Sequence, residues 1–177
     1  MRLKGYDYSS TGYYFVTICV KDRHEILARI VGDAHLGVPL HLNILPIELT
    51  AIGKIVKQHI ESMSLIYDAV TIDKYAIMPN HVHMIIIIKN EMYATAKGGT
   101  PRCASPTKSM LAKVLNAFKS LTSKHFGESM WQRSYHDHVI RDEAEHQRIW
   151  QYIDENPARW EEDCYYVKQS LKGETPI

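Results

Sequence analysis

The sequence predicts an α+β fold in which an antiparallel β-sheet carries helices on one face and a further helix is added at the C-terminal end. Strand-like and helix-like segments follow one another in the order β-α-β-β-α-β. Two of the strand-like runs are joined directly by Pro79-Asn80, which indicates a hairpin and therefore antiparallel pairing. The length of 177 residues, 45% of them hydrophobic, is enough for one domain with a single core.

The first part of the chain predicts a central strand, a small hairpin and a helix. Residues 13–20 are aromatic or β-branched almost throughout, which is typical of a buried strand near the centre of a sheet. Residues 30–45 hold short apolar runs broken by glycine and proline, and they predict a hairpin attached to the core. From Thr50 to Met63 apolar residues recur at helical spacing with charged residues opposite them, which predicts an amphipathic helix.

The middle of the chain predicts two strands and a long loop. The strands lie at 70–78 and 81–88, and the second is apolar on both faces, so we expect it inside the sheet. Residues 89–108 contain two glycines, two prolines and no periodicity, which predicts a loop. Loops of more than about 12–15 residues in compact domains are usually functional or disordered.

The last part predicts a second helix at 109–124, a fourth strand at 135–141 and a third helix at 143–156 that Pro157 ends or kinks. The second helix is expected to bury Leu111, Val114, Leu115, Phe118 and Leu121. The complete order is the split βαβ, ferredoxin-like arrangement. One face of such a sheet is free to carry a site.

Positive charge is concentrated in one segment. The whole chain has a net charge of only +1, but residues 97–133 contain seven basic residues and one acidic residue, Glu128. The segment therefore carries +6 and the rest of the chain −5. This asymmetry indicates either a solvated helix face or a surface for a polyanion.

Cysteine usage and hydropathy exclude several classes of protein. Cys19, Cys103 and Cys164 are far apart and form no C-x-x-C pair, which argues against a disulfide framework and a thiolate zinc site. Any metal is therefore expected on histidine, carboxylate or amide groups. Because no stretch approaches the ~18–20 apolar residues of a membrane span, and the N-terminus lacks the apolar core of a secretory signal, we expect a cytoplasmic protein that does not contact membranes.

The sharpest local motif is His81-Val82-His83 at the start of an apolar strand. Because strand side chains alternate, His81 and His83 project from one face with Cα atoms about 7 Å apart, close enough for both imidazoles to bind one ion. The pair indicates metal binding or direct catalysis. Two other chemistries that begin with H-x-H are not supported. The dinuclear hydrolase pattern continues with x-Asp-His, but Met84-Ile85 follow here, so a second metal would have no ligands. A histidine-triad hydrolase needs a third histidine at the position of Ile85.

Two further motifs are weaker on their own. His136-Asp137-His138 lies on the fourth predicted strand, where alternate residues would face the same site if the strand is at the sheet edge, although a polar edge strand would look similar. On the last helix, Tyr152 and Asn156 share a face one turn apart, beside an apolar stripe. They could face a metal, or they could be a tyrosine at the rim of the core and an asparagine that ends the helix before proline.

Together these motifs resemble a known family. The segments that carry the resemblance are 2–8 with Gly12, 14–19, 78–83, 118–120, 131–141, Tyr152-Ile153 and Asn156-Pro157. In order and approximate spacing, from about residue 2 to 160, they are similar to the REP-associated tyrosine transposases. That family belongs to the single-tyrosine branch of the HUH single-strand DNA endonucleases.

The resemblance implies a mechanism. His81 and His83, with Asn156 as a third ligand, would hold one Mg²⁺ or Mn²⁺, and Tyr152 would attack the scissile phosphate to form a 5′-phosphotyrosine and release a 3′-hydroxyl. The energy of the phosphodiester is kept, so rejoining needs no ATP. Since a tyrosine of pKa about 10 is a poor nucleophile unaided, the charge of the metal is expected to assist it.

The resemblance also implies single-stranded or hairpin DNA, such as repeat ends, as the partner, bound by a monomer or a homodimer. The basic segment could neutralise its phosphates. The candidate DNA-binding residues are Arg102, Lys108, Lys113, Lys119, Lys124, Arg133, His136, His138 and Arg141. Aromatic candidates for base stacking are Tyr93, Trp131, Tyr135 and Trp160. The loop 89–108 is a candidate for a segment that orders on DNA.

The predicted function is therefore a metal-dependent single-stranded DNA transposase and endonuclease that cleaves and rejoins hairpin-containing DNA. We expect one domain over residues 1–177, with its core at about 10–160. The alternative is a domesticated DNA-binding module without turnover. The joint presence of Tyr152, His81, His83 and Asn156 favours the enzyme.

Overall fold

The computed structural model describes residues 11–31, 47–89 and 109–167. The strands in these residues are β1 (Gly12–Cys19), β2 (Ala28–Ile30), β3 (Ile47–Leu49), β4 (Val70–Ile77), β5 (His81–Ile88) and β6 (His136–Ile140). The helices are α1 (Ala51–Ile66), α2 (Met110–Phe126) and α3 (Glu143–Glu155). A short 3₁₀ helix follows β1 at Lys21–Arg23, and α3 continues into a second one at Asn156–Glu162.

The main sheet has four strands in the order β4-β5-β1-β6, and every neighbouring pair is antiparallel. Strand β1 is central, β5 lies inside the sheet and β6 is at an edge. This order, with α1 between β1 and β4 and α2 between β5 and β6, confirms the predicted α+β, ferredoxin-like fold. Strands β2 and β3 form a separate antiparallel pair.

The two faces of the sheet pack against different helices. Residues at even positions of β1 and β5, such as Val16 and Met84, are buried in one cluster with the apolar faces of α1 and α2. Residues at odd positions, such as Ile85, belong to a second cluster that includes Ile153 of α3 and Trp160. The fold therefore has α1 and α2 on one face, as predicted, and sets α3 against the other.

Polar caps begin α1 and α2, and two glycines meet constraints on the backbone of these helices. The side chain of Thr50 accepts a hydrogen bond from Gly53 N at 3.0 Å and starts α1. A Cβ at Gly53 would collide with the carbonyl oxygen of Leu27, so this close approach requires glycine. Ser109 caps α2, and Gly127 ends it with a φ of 88°, which favours glycine.

Two expectations need correction, and a third is not tested. The hairpin predicted at 30–45 instead pairs β2 with β3, which flank residues 32–46, and these lie outside the described residues. Strands of three residues are too short to produce a readable pattern. In α2, Leu121 is 43% exposed and Thr122 is buried, because the Thr122 hydroxyl donates to Phe118 O and accepts from Trp131 Nε1. The predicted loop 89–108 lies almost wholly outside the described residues.

The described helices contain none that is both long and apolar enough to cross a membrane.

Candidate functional site

The two histidines of the H-x-H motif face each other on the α3 side of the sheet. His81 and His83 are buried at 0% and 1% exposure, and β5 pairs them with Cys19 and Thr17 of β1. Their Nε2 atoms lie 2.9 Å apart. Both rings project from the same face, as the alternation of strand side chains predicted.

The outer ring nitrogens are held by neighbouring side chains. Nδ1 of His81 lies 2.9 Å from Asn80 Oδ1, and Nδ1 of His83 lies 2.8 Å from Thr17 Oγ1. The Asn80 amide nitrogen donates to the carbonyls of Tyr165 and Arg23, so its oxygen faces His81 and can only accept. His81 therefore carries its proton on Nδ1 and presents the lone pair of Nε2 to the site.

Asp163 completes this pair to a set of three possible metal ligands. One ligand atom from each of His81, His83 and Asp163 lies within 4.8 Å of the others, and Asp163 Oδ2 is 3.9 Å from both Nε2 atoms. The Asp163 side chain is inaccessible to solvent. Two imidazole nitrogens and a carboxylate form a donor set that fits a divalent cation.

Sequence reasoning missed Asp163. It follows the 3₁₀ helix Asn156–Glu162, and its position near the histidines depends on how the chain turns after Pro157. No fixed spacing links a residue in such an irregular segment to a strand far away in sequence. The only available signal was an aspartate a short distance after the tyrosine helix, which is not specific.

Tyr152 reaches the same point from α3. Its hydroxyl oxygen lies 3.4 Å from His83 Nε2 and donates to Asp163 Oδ2 at 3.3 Å, while 41% of the residue is exposed. Burial of Ile153 and packing of Ile149 against the second cluster dock the helix, as the predicted apolar stripe required. The hydroxyl therefore meets the histidine pair with part of its ring still open to solvent.

Asn156 lies one turn further along and is buried at 4% exposure. Its amide nitrogen donates to Asp163 Oδ2 at 2.7 Å, whereas Oδ1 is buried without a hydrogen-bond partner. Tyr152 and Asn156 share a helix face, and both contact Asp163. The role of Asn156 as a metal ligand stays a prediction, since the atom turned toward Asp163 is its NH₂ group.

The electrostatics of the site follow from burial and from these contacts. Burial lowers the pKa of both histidines, and positive charge on His83 and Arg23 lowers that of His81 further, which favours the neutral, metal-binding form of the imidazole. Burial and the Asp163 carboxylate raise the pKa of the Tyr152 phenol well above its usual value. Burial also raises the pKa of Asp163, but the nearby histidines and hydrogen bonds from Asn156 and Tyr165 N outweigh it and keep this carboxyl ionised.

A cavity of about 530 Å³ opens beside Tyr152. Asn156 and Asp163 line it together with Arg148 and Arg159. Arg159 forms ion pairs with Glu155 and Glu162. The cavity gives a ligand access to the tyrosine from solvent.

The second H-x-H motif lies on the same face of the sheet. In β6, His136 pairs with Thr17 and His138 with Phe15, and both histidines are exposed. His138 Nε2 lies 2.7 Å from Glu145 of α3, and the His136 ring is 6.4 Å from the Tyr165 ring. Neither belongs to the group of candidate metal ligands found in the described residues. Arg141, just after β6, is exposed.

The basic residues among the DNA-binding candidates do not all lie on the face of the sheet that carries Tyr152. Lys113 and Lys124 are exposed on α2, which packs on the opposite face of the sheet, and exposed Arg133 precedes β6. Lys119 donates to the carbonyls of Gln132 and Arg133, so its ammonium holds the loop before β6. Arg102 and Lys108 lie outside the described residues.

Two of the aromatic candidates for base stacking are wrong for this structure. Trp131 is buried at 3% exposure against Phe118, and Trp160 at 7% exposure lies beside His81 in the second cluster. Tyr135 is half-buried, and Tyr93 lies outside the described residues.

Comparison with known proteins identifies the family. The profile of the family described as transposase IS200 like matches residues 8–156, and the chain belongs to this family. A relative described as an uncharacterized protein of Haemophilus influenzae is 33% identical over 184 residues, which cover 94% of this chain and 92% of that protein.

A solved structure has the same fold. The structure of a REP-associated tyrosine transposase bound to a REP hairpin matches with a TM-score of 0.60 at 15% identity, covering 90% of this chain and 74% of that chain. Family and fold together support a transposase or endonuclease that acts on DNA. Asp163 lies beyond the residues that match the family.

Proposed function

We propose that this protein is a metal-dependent transposase and endonuclease for single-stranded DNA, which cleaves and rejoins hairpin-containing strands through a 5′-phosphotyrosine. The observation that carries the proposal is the meeting of the Tyr152 hydroxyl with the histidine pair, 3.4 Å from His83 Nε2. A nucleophile beside a candidate metal site is an arrangement suited to phosphoryl transfer to a side chain.

Tyr152 is the proposed nucleophile. Its oxygen forms a bond to the scissile phosphorus while the bond from phosphorus to the 3′-oxygen breaks, so one strand leaves with a 3′-hydroxyl and the other stays joined to tyrosine by its 5′-phosphate. The Asp163 carboxylate already accepts the hydrogen bond of this hydroxyl, whose proton passes to solvent as the bond to phosphorus forms. The departing 3′-oxygen takes up a proton. Attack by a 3′-hydroxyl on the phosphotyrosine reverses these steps and rejoins the strands.

The histidine pair is the proposed anchor of a divalent ion. His81 and His83 would hold Mg²⁺ or Mn²⁺, with Asn156 as the third ligand expected from the family resemblance. The bound ion would polarise the phosphoryl oxygen and neutralise charge that develops on the phosphate. Asn80 and Thr17 fix the two rings so that both Nε2 atoms point to the same place.

Hairpin DNA is the proposed partner. The relative with the same fold was solved with a REP hairpin, and the sequence concentrates positive charge in one segment. The exposed residues Arg133, His136, His138 and Arg141 flank or lie on the edge strand of the face that carries Tyr152. They are the proposed contacts nearest to the cleaved strand, with Lys113, Lys119 and Lys124 further away.

A covalent-adduct assay tests the proposal. A pool of 3′-labelled single-stranded hairpin oligonucleotides, including repeats that flank the gene, is incubated with protein and Mn²⁺ or Mg²⁺ and separated on a denaturing protein gel. We expect label to migrate with the wild-type protein and with Tyr13→Phe, a control at a tyrosine of similar exposure, 43% against 41%. Tyr152→Phe should give no labelled protein, since phenylalanine has no oxygen to form the bond.

Two results would contradict the proposal. If Tyr152→Phe still forms the adduct, another residue is the nucleophile. If the wild-type protein binds known repeat ends with a steep salt dependence but never forms an adduct, it is the DNA-binding module without turnover.

A further inference from the structure

Asp163 lies where a third metal ligand would be required. Its Oδ2 atom is equidistant from the Nε2 atoms of His81 and His83, at 3.9 Å from each, and the side chain is inaccessible to solvent. Hydrogen bonds compensate part of the cost of burying this carboxylate, but the two imidazoles opposite it are neutral, and buried charges are usually paired with an opposite charge or coordinate a metal. The position is therefore suited to a cation shared by all three side chains.

The segment that carries Asp163 is held in place by several contacts. Asn80 Nδ2 donates to the carbonyl of Tyr165 at 2.9 Å, and Arg23 Nη1 donates to the carbonyl of Cys164 at 3.0 Å. The Arg23 guanidinium also lies 5.2 Å from the centre of the Tyr165 ring. We call Asn80 and Arg23 the clamp. Because Asn80 contacts His81 as well, one side chain joins the histidine pair to the carboxylate segment.

Asn156 is oriented as a partner of Asp163. Its NH₂ group donates to Asp163 Oδ2, and its oxygen is the buried atom without a partner. Turning the amide by half a turn would bring its oxygen toward the site but would set two acceptors, amide oxygen and carboxylate, against each other. The hydrogen bond from Asn156 to Asp163 fixes the carboxylate toward the histidines.

We propose that Asp163 is the third protein ligand of the metal, that Asn156 is a positioning residue acting through it, and that the clamp delivers the carboxylate to the histidine pair. The inference rests on the proposed function, because it requires a divalent ion at His81 and His83. In this ligand set the anionic Asp163 takes the place of the neutral amide of Asn156. The set therefore carries one negative charge and should bind Mn²⁺ more tightly than two histidines with an amide.

Mn²⁺ binding without DNA tests the inference separately from activity. Titration of the full chain with Mn²⁺, followed by electron paramagnetic resonance of the free ion, gives the Kd. We expect Asp163→Asn to weaken binding by at least about tenfold, because even residues that only orient metal ligands typically cost 10–100-fold. Glu161→Gln, which removes the same charge from an exposed residue two positions earlier, should leave the Kd unchanged.

A double-mutant cycle assigns the role of Asn156. If Asn156 acts through Asp163, Asn156→Ala weakens Mn²⁺ binding in the wild-type background and has no further effect in the Asp163→Asn background. If Asn156 is itself the ligand, its replacement costs affinity equally in both backgrounds, and the inference is overturned. An unchanged Kd for Asp163→Asn would also overturn it.

Arg23→Gln extends the test to a variant that leaves every atom of the histidine pair in place. We expect Arg23→Gln to weaken Mn²⁺ binding in the wild-type background. In the Asp163→Asn background it should have no further effect. An equal loss in the Asp163→Asn background would mean that Arg23 acts by another route. If the wild-type protein itself binds no Mn²⁺, the proposed metal dependence has failed, and that result differs from every one above.

Discussion

Single side chains of the site have protonation states that the surrounding fold determines. His81 and His83 are buried, and Asn80 and Thr17 occupy their outer nitrogens. Burial lowers the pKa of both rings, because a charged imidazole inside the protein loses its hydration. Both rings are therefore ready to bind a cation at neutral pH without first losing a proton.

The same shifts make the metal-free protein sensitive to acid. An unfolded histidine has a pKa of about 6.5, and the folded value is lower for His81, so the unfolded chain binds more protons in the window between the two. The stabilisation is complete above about pH 6.5 and is lost as the pH falls toward the folded pKa. We expect the free energy of unfolding, from urea titrations, to decrease from pH 7 to pH 5.

Comparison with His81→Gln gives the control for this pH dependence. The variant lacks one of the two titrating rings, so its free energy of unfolding should fall less steeply over the same window. Above about pH 7.5 the two curves should run parallel, because His81 is deprotonated in both states there. Equal slopes below pH 6.5 would show that His81 does not contribute.

Elements with strong periodicity were predictable, and irregular segments were not. The bounds of β5 follow from its apolar run after Pro79-Asn80, and strand alternation puts His81 and His83 on one face. Helical spacing gives the two faces of α3 and so the position of Tyr152. Asp163 could not be placed, because its position depends on the path after Pro157. The pairing of β2 with β3 escaped prediction because each strand has only three residues.

Helix α3 positions the nucleophile by packing against the sheet. Ile153 is 1% exposed between the helix and the sheet, directly next to Tyr152. Ile153→Ala should lower the free energy of unfolding by about 2–5 kcal/mol, as large-to-small changes in cores do. The same substitution should also slow adduct formation per folded molecule, because helix α3 loses a contact that fixes the position of Tyr152 relative to the sheet.

Urea unfolding and the adduct assay at a temperature where the variant is folded measure these two effects. Gln147→Ala, at an exposed position of the same helix, should change stability by no more than about 0.5 kcal/mol. Normal stability together with normal adduct formation in Ile153→Ala would show that α3 is held by other contacts, such as the hydrogen bond between Lys74 and Asp154.

At the scale of the whole molecule, the sheet separates the candidate DNA-binding residues, which the sequence analysis treated as one set, into two surfaces. Tyr152 and the histidine pair lie on one face, whereas Lys113 and Lys124 project from α2 on the other. The residues around β6, including Arg133 and Arg141, lie at the edge between these faces. A DNA strand that reaches Tyr152 therefore passes along the β6 edge more readily than along the exposed side of α2.

Two matched double variants test which surface binds DNA. Arg133→Gln with Arg141→Gln removes two charges beside β6, and Lys113→Gln with Lys124→Gln removes two from α2. For single-stranded DNA the logarithm of the binding constant changes with the logarithm of salt concentration by about 0.7 per phosphate contact, so loss of two contacts should reduce the slope by about 1.4. We expect this reduction for the β6 pair and a smaller one for the α2 pair, measured by fluorescence anisotropy with a labelled hairpin. The opposite ranking would mean that the hairpin stem lies against α2 and that only its unpaired end crosses the β6 edge to the tyrosine.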